Sequence, residues 1–246
     1  MRATLQIGRK VVRHRHHEAK SSARLRRALS FAITLATTSS AARRLDIQDD
    51  RSYYEAMPQP NVRDKIVRAG LDQFHRMGFN GSSVEDITDL AEVPKGSFYN
   101  HFKSKEALAL EVIDRYIEQG SHALLSDTRV APLKRLKAYF APLVQEFVDS
   151  GYKKGCLLGN FSGELADHSA SVRSRLEGAF DNWVKLIANV IREAQRAGEV
   201  DSKVKAEQLA GVLLSAFEGA LLRARVAGDS APLKEFMAIG FGRLIG

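Results

Sequence analysis

Within the stretch VPKGSFYNHFKSK, Lys95, Ser97, Tyr99, Asn100 and His101 place an ammonium, two hydroxyls, an amide and an imidazole inside seven consecutive positions. Such groups bond to phosphate oxygens and to base edges. They crowd the start of a short helix, where unpaired backbone amides favour anions. The same spacing fits an ordinary helical hairpin with a solvated polar face, so spacing alone leaves both readings open. Cys156, the one thiol of the chain, follows Lys153 and Lys154 and opens a helix. A helix N-terminus and two ammonium groups both stabilise a thiolate, which predicts a lowered thiol pKa. The alternative is a buried cysteine that packs as a small apolar residue. A single cysteine excludes an intrachain disulfide and any Cys-x-x-Cys metal site. A thiol hydrolase built from Cys156 and His168 rests on nothing but their proximity in sequence, and no G-x-G-x-x-G, Walker, G-x-S-x-G or H-E-x-x-H pattern occurs. The chain reads as a non-enzyme with no cofactor and no metal.

Helices must hold these groups in place. Ser82-x-x-Glu85 and Ser83-x-x-Asp86 both fit a capping box, so a helix starts near Val84 and carries Val84, Ile87, Leu90 and Ala91 on one apolar face. Pro94 ends it, and Lys95–Phe102 forms a second helix with Phe98 and Phe102 inward. Upstream, Asn61 and Asp64 stand at N-cap and N3 of a helix with Val62, Ile66, Val67, Phe74 and Met77 inward, closed by Gly78. Downstream, Ser104 caps a helix over Lys105–Leu125, with Leu108, Val112, Ile113, Tyr116, Ile117 and Leu124 at helical spacing. This helix is the element that could carry motion to the reading head. The remainder stays helical: one helix opened by Pro132 and kinked at Pro142, a short one from Cys156 to about Asp167, one over Ala170–Ala197, and two at about Val204–Ala227 and Pro232–Ile245. The last two carry an apolar face, including Leu214 and Leu221, that either completes the core or pairs with a second copy. The fold class is all-α, with a three-helix helix-turn-helix domain at 57–104 and a helical bundle at 105–246.

VPKGSFYNHFKSKEAL, behind an I-x-x-x-A helix and a leading amphipathic helix, closely resembles the TetR/AcrR family of bacterial repressors. The match is strong over 61–110, and the later helices are similar in length and pattern to that family's regulatory domain. The resemblance implies a homodimer on double-stranded operator DNA, released by a small-molecule inducer. It also implies DNA contacts from the positions matching Ser83, Lys95, Gly96, Ser97, Tyr99, Asn100, His101 and Lys105. At Glu92 the family usually has glycine, so the turn either shifts or is strained. GYKKGCLLGN is similar to a segment of TetR-type repressors that respond to electrophiles or small unsaturated acids such as acrylate. That places Cys156 beside an inducer pocket, with Asn160, Trp183 and Phe217 as wall residues, and implies that electrophiles adding to its sulfur release the DNA, with a non-covalent inducer in the same pocket as the alternative. An activator, or a DNA binder without a ligand, remains an alternative.

The formal charge is +8, but Met1–Ala56 holds twelve basic and five acidic residues, whereas Met57–Gly246 holds 25 and 24. Basicity therefore belongs to the tail, and the nucleic-acid reading rests on local geometry. The tail lacks amphipathic period and strong caps. It is expected to be a disordered basic extension, with a DNA-binding arm, a presequence and a secretory signal as competing readings, and Met57 as the natural start. His14-x-His16-His17 reads as a solvated run and not as a metal site. No stretch approaches a membrane span, and the protein is expected to be cytoplasmic.

Overall fold

A computed structural model describes residues 61–120 and 122–244, so the expectations for the basic tail, including Met57, fall outside the described residues. Every regular element among the described residues is helical.

Helix α1 (Val62–Met77) begins where the Asn61 side chain accepts from the Asp64 amide at 2.9 Å. Its buried face is Ile66, Val67, Ala69, Gly70 and Phe74, while Val62 and Met77, expected inward, sit in the terminal turns and stay exposed. Gly78 ends it with φ 76°. A Cβ there would lie 2.6 Å from a Glu164 carboxylate oxygen, so glycine is required twice over. Helix α2 (Val84–Leu90) starts with the complete Ser83–Asp86 capping box. It buries Ile87 and Thr88 but leaves Leu90 exposed. Helix α3 (Lys95–His101) turns Phe98 into the core, and Phe102 follows as its buried C-cap. Between α2 and α3, Glu92 takes φ 55°. Of the two outcomes expected there, the structure has the strained one, a left-handed non-glycine residue that costs about 1 kcal/mol.

Helix α4 (Lys105–Glu118) is capped by Ser104 and stops seven residues before the expected end. Gly120 breaks it: its amide closes back on the Ile117 carbonyl, and a separate 3-10 turn over His122–Ser126 buries Leu125 and exposes Leu124. Helix α5 (Pro132–Asp149) opens on a proline and runs unbroken past Pro142. It is followed by α6 (Leu157–Leu165), α7 (Ala170–Arg196), α8 (Ala206–Ala227) and the short α9 (Ala231–Glu235). The expected final helix is thus divided, because Phe236–Leu244 winds as a π-helix.

Helix α1 packs on α2, α3 and α4, while α4 also packs on α7, which in turn carries α5, α6 and α8. The bundle core is aromatic, with Phe140 against Phe217, Phe236 and Phe241 at centroid distances of 5.0, 5.4 and 5.9 Å. Arg135, 2 % exposed, ties α5 to α7 through an ion pair with Glu193.

Candidate nucleic-acid interface and the cavity behind it

The α2–α3 hairpin puts its polar groups on one side because Phe98 and Phe102 claim the other. Lys95, Gly96, Tyr99, Asn100 and His101 are exposed and Ser97 is half-buried. Tyr99 shows 60 % of its surface, its ring edge-on to Phe98 at 5.3 Å. Lys95 pairs with Glu85 at 3.2 Å, a surface contact that an incoming phosphate could replace. Space around Gly96 is open, so nothing inside the chain demands glycine there.

Two members of the predicted set are also engaged internally. The Ser83 hydroxyl donates to Asp86 at 2.7 Å while accepting from the Asp86 amide. The Lys105 ammonium donates to the carbonyls of Phe79 at 2.9 Å and Ser82 at 2.7 Å, and lies 4.1 Å from the Phe79 ring centroid. Lys105 therefore clamps the turn between α1 and α2, with one N–H left for an external anion.

Behind the hairpin lies a cavity of about 230 Å³. Leu71 and His75 of α1 form part of its wall, facing Tyr116 of α4, Tyr139 of α5, and Trp183 and Phe217 of α7 and α8. Cys156, Trp183 and Phe217 line it as expected from sequence. Asn160 does not: its side-chain oxygen accepts from Arg225 at 3.1 Å and is held outside the wall.

The thiol reverses the sequence expectation. Cys156 is buried, and burial together with the neighbouring Glu218 carboxylate pushes its pKa well up, more than offsetting the backbone amides of Leu158 and Gly159 directed at the sulfur. Lys154, assigned to lowering it, is instead spent on Asp72 at 2.7 Å. The lysine that looked adjacent in sequence points toward α1. Glu218 is itself pushed up to about 6 by burial, with the thiol hydrogen bond opposing. Gly159 makes this contact possible, because a Cβ there would run into the Glu218 carboxylate. The neutral forms of His75 and His122 are favoured by burial, and the His75 ring nitrogen bonds the Gly155 carbonyl.

Sequence reasoning missed His75, His122, Tyr139 and Glu218. Glu218 had a legible signal, since it is the one carboxylate in the apolar run from Leu209 to Leu222. His75 had none, because its partner, the Gly155 carbonyl, lies 80 positions away in the chain.

Helix α6 joins cavity and hairpin. Its first turn walls the cavity through Leu158, and near its end the Glu164 carboxylate accepts from the amides of Phe79 and Asn80 at 3.2 and 2.7 Å. Phe161 meets the rings of Phe74 and Phe79 at 5.5 and 6.2 Å. A second bridge thus runs beside α4, the element that sequence had named as able to carry motion to the reading head.

No described helix is long and apolar enough to cross a membrane, and no described His, Cys, Asp or Glu residues gather as a metal site.

Comparison with known proteins meets this geometry at both ends. Residues 66–112 match the family described as bacterial regulatory proteins, tetR family, and residues 132–239 match the tetracyclin repressor-like C-terminal domain. The chain is 38 % identical over 192 residues to the HTH-type transcriptional repressor DhaR of Mycobacterium sp. strain GP1, covering 77 % of this chain and 95 % of DhaR. It is 33 % identical over 185 residues to the transcriptional regulator AcuR of Cereibacter sphaeroides, covering 74 % of this chain and 84 % of AcuR. Among solved structures, regulatory protein TetR from Rhodobacter sphaeroides superposes with a TM-score of 0.68 at 32 % identity over 74 % of this chain and 97 % of its own. The reduced form of Escherichia coli NemR gives 0.66 at 25 % identity over 76 % and 97 %. With a helix-turn-helix, a walled cavity behind it and relatives aligned along both matched segments, the chain belongs to the TetR family of bacterial regulatory proteins and is a DNA-binding transcriptional regulator, not an enzyme.

Proposed function

We propose that the protein is a cytoplasmic repressor that holds operator DNA as a homodimer through paired α3 helices and lets go when a small molecule enters the cavity. The supporting observation is the outward face of α3: Tyr99, Asn100 and His101 stand exposed on a helix whose opposite face is fully buried, the arrangement a major-groove reader needs. Ser83, Lys95, Gly96, Ser97 and Lys105 supply backbone-positioning contacts around it.

The dimer surface we assign is the outer stripe of α8. Val212, Leu222 and Val226 stand exposed there, within one helical stripe, and Ile239 is exposed on the π-helix. Leu214 and Leu221, named from sequence for this role, are buried in the chain's own core, so charge at either would unfold the bundle before separating two copies. For release we favour non-covalent occupancy over electrophile capture, because the neutral, buried Cys156 thiol is a poor nucleophile.

The test is selection from a random duplex pool with the wild-type protein, followed by titration of single variants. A two-fold symmetric motif is expected, with half-sites about one helical turn apart. Asn100→Ala should relax one base position, and Leu222→Glu should weaken binding while sedimenting as a folded monomer. A pool with no enriched motif, or unchanged binding by Tyr99→Phe, Asn100→Ala and His101→Ala alike, removes the assignment of α3.

A further inference from the structure

The charges around the cavity show what kind of molecule it accepts. Lys154 is the one cation among the described lining residues, and its ammonium is committed to Asp72 at 2.7 Å. His75 and His122, the other basic groups in the wall, are both held toward the neutral form by burial. The carboxylates are not matched in this way. Glu146 lines the cavity without an ion pair among the described residues, and Glu218, outside the wall, sits behind Cys156 with one side-chain oxygen buried and unpartnered among them.

The other donors in the wall are the uncharged side-chain amides of Gln119 and Asn182, and the N-terminus of α6 is already occupied. The Leu158 and Gly159 amides are directed at the Cys156 sulfur, and the Leu157 amide bonds the Tyr116 hydroxyl. An anion entering the cavity would lose its water and meet Glu146 in the wall and Glu218 behind Cys156 with no uncommitted cation in the described wall, a loss that the uncharged Gln119 and Asn182 amides offset only in part. An uncharged ligand meets no such penalty, and Tyr139, Phe147, Trp183 and Phe217 offer it apolar and aromatic surface.

We infer that the cavity takes a small neutral molecule, an aromatic or short aliphatic body with one uncharged polar head such as an amide, ketone, aldehyde or alcohol, and rejects carboxylate anions. The inference rests on the cavity being the inducer site and narrows the expected ligands, setting aside the unsaturated acids.

The experiment is calorimetric titration of the full chain at pH 7.5 with benzamide and with benzoate, which have the same number of non-hydrogen atoms and differ by one charge. Benzamide should bind about tenfold tighter or more, and fluorescence of Trp183, the chain's one tryptophan, should report it. Asp72→Asn, which frees the Lys154 ammonium, should raise benzoate affinity by about 3- to 10-fold and leave benzamide unchanged. Benzoate binding as tightly as benzamide in the wild type overturns the inference while leaving a ligand-responsive regulator intact. Parallel changes for both ligands in Asp72→Asn overturn its electrostatic basis. Benzamide that binds without weakening selected operator DNA upholds the inference and defeats the inducer reading instead. If neither compound binds, the inference fails, while operator selection still decides the regulator reading.

Discussion

The outer face of α3 and the cavity behind it are built in opposite ways. The first is convex, polar and made by a run of seven residues; the second is concave and draws its walls from residues between Leu71 and Leu221. In the first, the side chains stand in water. In the second, each group's behaviour is set by what the fold brings beside it, so Glu218 is pushed up to about 6 and the Cys156 thiol is raised, not lowered. Function divides accordingly: exposed residues can be changed with little cost to folding, and buried ones cannot.

The sharpest break in this contrast lies within α3 itself. Phe98→Ala should cost about 3–5 kcal/mol in chemical denaturation and abolish specific DNA binding, because the helix loses its anchor. Tyr99→Ala, one residue on, should stay within about 0.5 kcal/mol of wild type in stability and lose DNA affinity alone. Equal stability loss in the two variants would mean that the outward face is not free.

Glu218 tests the cavity side through pH. Its folded pKa of about 6 lies above the ordinary 4.5, so its protonated form is favoured by folding. Its stabilising contribution is complete below about pH 4.5 and is lost as pH rises to about 6, on the order of 2 kcal/mol. Glu218→Gln should remove that slope, so the variant gains on wild type between these pH values and keeps a constant margin above about pH 7. Parallel stability curves would show that Glu218 is not buried beside the thiol.

Two lysines then separate position from chemistry. Lys105→Ala should cost about 1–2 kcal/mol in stability, since two buried carbonyl contacts lose a charged donor. Lys95→Ala should leave stability unchanged, weaken binding to all sequences alike, and lower the salt dependence of DNA affinity by about one unit. Identical stability for both variants would undo the clamp assigned to Lys105.

The smallest expected effect is the absence of a reaction. At pH 7.5 Cys156 should alkylate at least about tenfold more slowly than a free cysteine, by mass spectrometry. Rapid labelling that releases DNA in the wild type but not in Cys156→Ser would restore covalent sensing.

Much of the reader was legible in the residues. Asn61, Ser83 and Ser104 announce three helix starts, and Phe98 with Phe102 fixes which side of α3 faces out, because caps and a four-residue repeat act within one or two turns of chain. The strain at Glu92 was one of the two outcomes that the family resemblance raised, because the family usually has glycine at that position. The all-α class followed from the same short-range rules. Tertiary structure decided the rest. It turned Lys154 away from Cys156 and toward Asp72, placed Glu218 against the sulfur from sixty-two positions away, and set Lys105 across the α1–α2 turn. It also moved Asn160 out of the cavity wall and put Leu214 and Leu221 inside the core. Charge and burial act through distance in space. A chain read in order shows which groups exist, and only the folded protein shows which of them have lost their water and what they meet in its place.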